Sequence, residues 1–205
     1  MRVWTILAVA LFVGGCAFGR TYSYSDASVN IPNAASGSGT IALAVQDRRP
    51  YVLSGNKPQK FVGLMRGGFG NPFDVNTESG GPLSNEVRDA LARSLKAKGY
   101  AVTTVDLDPR ESATDARRRV TGGGSKAVVV TLNEWKSDTM MNTDIHYDVS
   151  LVVLGPKGDE LATNNVKGMD NIGNAGLLPG QTISGSLGRK LELLFDNEKV
   201  ITALK

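Results

Sequence analysis

The stretch Ser84 to Val105, SNEVRDALARSLKAKGYAVTTV, decides the fold class. Val87, Ala90, Leu91, Ser94 and Leu95 recur at three- and four-residue spacing, the period of one helix face. Ser84 is placed to cap the helix start, and Gly99 stands where a left-handed residue would end it. From Tyr100 to Val105 the composition turns β-branched, so a strand follows the helix directly, as in layered α/β domains.

Upstream, Thr40 to Val45 alternates apolar residues and stops at Gln46-Asp47-Arg48-Arg49-Pro50. Tyr51-Val52-Leu53 and Phe61 to Met65 read as two more short strands, and Pro72 to Pro82 as a Gly, Pro and Asn rich loop without a regular ladder. Downstream, Pro109 to Thr121 reads as a charged helix stopped by Gly122-Gly123-Gly124. Lys126 to Trp135 is a near-continuous apolar strand, expected to be covered on both faces at its start. Ile145, Tyr147, Val149, Leu151 and Val153 share one face of a hairpin; Gly155-Pro156-Lys157-Gly158 turns it, and Leu161 to Val166 runs back. A last helix from about Thr182 to Phe195 buries Ile183, Leu187, Leu191, Leu194 and Phe195. The expected fold is α/β (α+β): a single mixed or antiparallel sheet with two or three helices packed mainly on one face, forming one domain over residues 40–205.

The N-terminus has a different character. Arg2 precedes the apolar run Val3 to Val13, which Gly14-Gly15-Cys16 closes with small residues and a thiol. That is the layout of a secretory signal over residues 1–15. As a helix the run rises about 16 Å, about half of a hydrocarbon core, so a permanent membrane span is not expected. Gly14 and Gly15 suit an extended chain in a peptidase groove, and the Cys16 thiol is the one nucleophile there for a lipid donor. The run resembles the lipobox of bacterial lipoproteins, and the resemblance implies a diacylglyceryl thioether on Cys16 and acylation of its new amino group. Two or more chains anchor firmly where one binds reversibly. Ala17 is not the acidic residue that retains lipoproteins in the inner membrane of enteric bacteria, so a periplasm-facing position on the outer membrane is expected, with the inner membrane as the alternative. Residues 16–39 read as lipid anchor and tether, since Gly19 to Gly39 is rich in Ser, Asn and Gly and could span about 80 Å fully extended. The alternative is that Tyr22, Tyr24 and Val29 pair as an edge strand of the domain.

Cys16 is the only cysteine, so the exported domain has no disulfide and must be stable on packing alone. A formal net charge of +3, one unit less without Arg2, excludes a strongly electrostatic partner such as nucleic acid.

Asp47-Arg48-Arg49, Val62-Gly63, Gly67-Gly68-Phe69-Gly70-Asn71 and Ala97-Lys98-Gly99-Tyr100-Ala101-Val102, followed by the later strand, hairpin and helix in that order, resemble the YajG-like family of uncharacterised lipoproteins from about Ile41 to the end. The resemblance implies a small periplasmic α/β domain with no assigned catalytic residues and no established ligand. The element order is more distantly similar to auxiliary lipoproteins of envelope transport systems, a likeness of fold alone.

Chemistry is sparse. His146, the only histidine, shares a strand face with Asp148 and Ser150, but successive residues on one face lie about 7 Å apart, too far for a proton relay. One histidine and no free cysteine leave only carboxylates for a metal, and Asp106 and Asp108 suit a turn as they stand; neither metal nor cofactor is expected. Gly122-Gly123-Gly124-Ser125-Lys126 lacks phosphate-loop spacing. Arg117-Arg118-Arg119 reads as a solvated helix face, or else a contact for anionic headgroups. Arg66, Phe69 and Phe73 in a glycine-rich loop have the composition of a partner-binding anchor, unless the two rings fold back on the core. Asn164-Asn165 and Met169 to Leu178 form a second candidate surface. The expected function is a non-catalytic binding or scaffolding module on the envelope, with an envelope protein as partner. The alternative is a small-ligand-binding or hydrolytic domain whose site converges only in three dimensions, for example a pocket that unites Asp47, Arg48 and His146.

Overall fold

Fourteen residues of alternating or continuous apolar character make β6, Lys126–Thr139, the strand on which the whole sheet is hung. The computed structural model describes residues 20–174 and 179–205; the signal segment, Cys16, Ala17 and the part of the Met169 to Leu178 connection at 175–178 lie outside them. Elements run β1 (Thr21–Tyr22), a 3-10 turn (Asn33–Ala35), β2 (Thr40–Asp47), α1 (Pro50–Leu53), β3 (Phe61–Arg66), β4 (Pro72–Thr77), α2 (Leu83–Ala97) and β5 (Ala101–Asp106). They continue with α3 (Ala113–Thr121), β6, β7 (Thr143–Leu154), β8 (Glu160–Asn171), α4 (Pro179–Phe195) and α5 (Glu198–Leu204).

One mixed eight-stranded sheet results, with helices packed mainly on one face. On one side β6 pairs along its full length with β7, which pairs with β8. On the other it pairs in parallel first with β2 (Ile41↔Lys126 to Asp47↔Leu132) and then with β3 (Gly63↔Ser137 to Met65↔Thr139). β2 and β3 thus lie end to end along one edge of β6. β5 flanks β2, while β4 and β1 flank β3.

The main core lies between this sheet and α2, α4 and α5, and it buries the expected stripe Ile183, Leu187, Leu191, Leu194 and Phe195. A smaller cluster of Ala42, Ala44, Ala127, Val129 and Leu154 packs beneath Val120 of α3 on the opposite face, so the start of β6 is covered on both sides. Gly99 takes φ +99° at the end of α2, as its position demanded.

Several expectations are corrected. Residues 20–39 are no tether, because Tyr22, Tyr24, Ala27, Val29, Ile31 and Ala35 are buried in the main core, and Thr21–Tyr22 adds an edge strand beside β4. Packing the four large side chains Tyr22, Tyr24, Val29 and Ile31 stabilises more than the chain gains in entropy when free. Tyr51-Val52-Leu53 is helical, since Pro50 occupies the first helical position, where its fixed φ and missing N–H suit a helix start. Pro72–Thr77 pairs with β3 despite its proline, which sits at the first strand position. Ser84 is a buried residue of α2 rather than its cap; Pro82 precedes the helix with no side-chain cap. The helix of 109–121 starts only at Ala113, where the Ser112 hydroxyl accepts from the Asp115 N–H. Among the described residues no helix is long and apolar enough to cross a membrane.

Candidate functional site

The end-to-end placement of β2 and β3 leaves an interruption in the ladder along β6, and the Asp47-Arg48-Arg49 sequence fills it. Arg48 N–H donates to Leu132 O, the last ladder bond of β2. The fully buried Arg49 guanidinium then makes two parallel bonds to Asp47, Nε to Oδ1 at 2.8 Å and Nη2 to Oδ2 at 2.6 Å. Its remaining donors reach the carbonyls of Phe61 (2.5 Å), Trp135 (3.2 Å) and Gln59 (2.9 Å). Burial acts to lower the Arg49 pKa, but the Asp47 carboxylate outweighs it and holds the group charged. Tyr51 closes the outside, its ring 5.4 Å from the guanidinium and its hydroxyl donating to Glu134 Oε1 at 2.7 Å. Burial pushes the Tyr51 phenol well above its ordinary value, so it stays a donor. This arrangement consumes the acid and the base inside the fold. Arg48 instead donates to Glu111 O at 3.0 Å, beside Gln46, which bonds Asp108 O and Glu111 O.

His146 is elsewhere. It faces Lys136 on β6 and Met169 on β8, four β6 residues beyond the level of Asp47. Asp148, on the same face, accepts from Lys167 (2.9 Å), Asn165 (3.0 Å) and Asn133 (3.3 Å). Burial acts to raise the Asp148 pKa, and these donors together bring it below the ordinary carboxylate value. The pocket that would unite Asp47, Arg48 and His146 is therefore not formed. An open groove of about 740 Å³ lies instead among Val52, Lys57, Lys60, Gly81, Pro82 and Arg110, and it contains none of the three. Among the described residues no three His, Cys, Asp or Glu side chains gather as a metal site would.

The arginine run on α3 is a solvated, paired face: Arg117 meets Glu160, Arg118 meets Asp115 and Arg119 meets Glu111. Asp106 pairs with Arg88, and Asp108 accepts from the Arg110 N–H in a turn. Asn164 and Asn165 are held in β8. Asn164 donates to the carbonyls of Leu193 and Leu194 at the end of α4, and Asn165 donates to Asp148 and to Val149 O.

The glycine-rich loop comes out differently from its neighbours. Arg66 pairs bidentately with Asp138 (2.7 and 2.6 Å), which holds the Asp138 carboxyl below its usual range. Phe69 is 99% exposed and Phe73 38%, so neither ring folds back into the core. Because Met65 is level with Thr139, the Gly67–Asn71 turn lies beside the Met140–Asn142 turn of the next hairpin, where Met140 and Met141 are 55% and 80% exposed. The methionine turn escaped sequence reasoning, although Thr139-Met-Met-Asn-Thr143 between two alternating runs marks a hairpin tip. The same holds for β8 as a sheet edge with no second strand beside it among the described residues, which only the strand order reveals.

No family model and no curated protein matches the chain. Among solved structures it is similar to protein XCC0632 from Xanthomonas campestris, of the DUF330 family model, with a TM-score of 0.54 over 90% of this chain and 95% of that one at 9% identity. Weaker likenesses are a PelC dodecamer from Paraburkholderia phytofirmans (TM-score 0.43, 83% and 90% covered, 12% identity) and lipoprotein GNA1162 from Neisseria meningitidis (TM-score 0.30, 75% and 97% covered, 12% identity). The first likeness shows a shared fold.

Proposed function

We propose that this chain is a lipid-anchored envelope lipoprotein of the YajG-like kind, held through Cys16 on the periplasmic side of the outer membrane. Its domain acts as a non-catalytic binding or scaffolding module for an envelope transport or assembly system. The observation that carries the binding role is β8, twelve residues long, paired among the described residues with β7 alone and exposed along most of its side chains. Such an edge offers a row of backbone donors and acceptors to an added strand. Asn164 and Asn165 fasten it to α4 and β7, so little order need be gained on binding. The structural role of Asp47 and Arg49 supports the non-catalytic reading, as the most site-like motif of the sequence is spent on holding the sheet together.

Photo-crosslinkers placed at Thr163 and Lys167 in living cells test the binding role. Both are expected to capture the same envelope protein, and a crosslinker at Arg118 is not. If Thr163 and Lys167 share no adduct, the edge is not a partner site. Cys16→Ser is expected to abolish signal processing and membrane partition, and an Ala17→Asp variant to change membrane in cell fractionation; a processed, membrane-bound Cys16→Ser protein removes the anchor.

A further inference from the structure

Three loops meet at one end of the sheet: residues 67–73, 139–143 and 171–174. β3 and β6 enter their turns level with each other, and Thr143 N–H donates to Gly173 O. In sequence they read GGFGNPF, TMMNT and NIGN, without an ionisable side chain among them. Phe69 and Met141, the two most exposed large apolar side chains of the described residues, are here, with Met140 and Phe73. The first charges set back from the tips are the Arg66–Asp138 pair, Asp74 paired with Lys57, Asp170 paired with Lys190, and Asp144. The opposite end is built otherwise, with Lys98, Lys126, Lys157, Asp159 and Glu160 around its turns.

The chain's own N-terminus leads to the same end. β1 runs parallel to β4 (Thr21↔Asn76, Tyr22↔Thr77), so the direction upstream of Thr21 is toward Pro72, the tip end of β4. Arg20, whose carbonyl accepts from Asn76, is about 10 Å short of Pro72 along the strand. Cys16 stands four residues before Arg20 and is therefore within about 14 Å of it. A stretch of that length is long enough to span from Arg20 to the level of the tips. The opposite end, about 45 Å away along the fourteen residues of β6, is out of its range.

We propose that this uncharged end docks into the interfacial layer of a phospholipid bilayer, with Phe69, Phe73, Met140 and Met141 entering it beside the lipid on Cys16. Exposed aromatic and thioether side chains partition favourably there, and charged ones are costly, which matches the composition of the three loops. The acyl anchor brings the tips to the surface at high effective concentration, so weak insertion of a few side chains suffices to fix the domain upright. The proposal rests on the reading of Cys16 as the lipid-bearing residue.

The test uses the full chain, processed in cells and reconstituted in phosphatidylethanolamine and phosphatidylglycerol vesicles carrying brominated acyl chains. In a Phe69→Trp variant the indole at position 69 is expected to shift to the blue and lose roughly half its emission to the bromines, while a Lys157→Trp control is unchanged. Trp135 is fully buried and gives a constant background. Mass spectrometry of the mature N-terminus and vesicle flotation report on the anchor alone. A lipidated, floating protein whose position-69 indole is unquenched overturns the docking and leaves the anchor standing; a chain without lipid that does not float overturns both. A photo-crosslinker at position 69 that captures a protein in cells, and no phospholipid, overturns the docking in favour of a protein partner.

Discussion

Tyr24 stands edge-on to Trp135, ring centroids 6.1 Å apart at 88°, and both rings are buried in the centre of the core. The first described segment of the chain is thereby joined to the middle of β6, more than a hundred residues later. The Tyr24 N–H also donates to Glu86 Oε2 at 2.7 Å, and Glu86 Oε1 accepts from Ser79, so one carboxylate of α2 ties down two loops. Truncating a buried aromatic ring costs about 3–5 kcal/mol. Tyr24→Ala is expected to fall in that range in urea denaturation, and removal of residues 20–31 to abolish the cooperative transition. A loss below about 1 kcal/mol would mean that the segment is an appendage after all.

The Asp47–Arg49 pair predicts an unusual double-mutant cycle. Removing one partner of a buried ion pair costs about 3–5 kcal/mol, and exchanging both for apolar residues is often neutral. Here Arg49 also serves the carbonyls of Gln59, Phe61 and Trp135, which an apolar side chain leaves without a donor. Asp47→Leu with Arg49→Met is therefore expected to remain at least about 2 kcal/mol less stable than wild type. Full recovery in the double variant would show that the carbonyl contacts contribute little.

Two glycines of α4 should respond oppositely to alanine. A Cβ at Gly188 would meet the Ser28 carbonyl oxygen at 2.3 Å, a backbone atom of the N-terminal segment, whereas one at Gly185 meets only the tip of Arg189 at 3.8 Å. Helix propensity favours alanine by about 1 kcal/mol at both sites. Gly185→Ala is expected to raise the melting temperature. Gly188→Ala is expected to lower it, because overpacking costs about 1–3 kcal/mol. Equal shifts in thermal unfolding would rule out the close approach of Ser28.

Acid sensitivity follows from the lowered carboxyls of Asp138, held by its hydrogen bonds from Arg66, and Asp170, held chiefly by Lys190 at 2.5 Å. A carboxyl whose folded pKa is depressed binds its proton more readily in the unfolded chain, so its contribution is complete above the unfolded value near 3.9 and is lost as pH falls through the folded value. Unfolding midpoints should therefore decline below about pH 4, and the decline should be shallower in Asp138→Asn and Asp170→Asn. Because these pairs are partly exposed, added salt should shrink the difference. A parallel acid limb in both variants would show that other carboxyls control it.

Elements with a strong local period were legible from the sequence: the α2–β5 unit, the hairpin faces and the stripe of α4 all occupy their expected places. Residues 20–35 were legible only in part: Tyr22 and Tyr24, then Ala27, Val29 and Ile31, stand two apart, but the register breaks between 24 and 27, only Thr21–Tyr22 pairs as a strand, and the burial is supplied by partners far along the chain. Pattern also says nothing of a side chain that completes a backbone ladder, so Arg49 looked like part of a turn. Exposure of Phe69 against burial of Phe61 is likewise decided by which hairpin ends beyond the sheet, a matter of register rather than composition.

The burial of Tyr22, Tyr24, Val29 and Ile31 has a bearing on turnover. Proteases cut chain that can be drawn out extended, and this segment becomes available only when the core itself opens. Shedding of the domain by a cut between residues 22 and 35 is therefore as rare as global unfolding. A lipid on Cys16, as proposed, is therefore not separated from the domain by cleavage between residues 22 and 35 while the core stays closed.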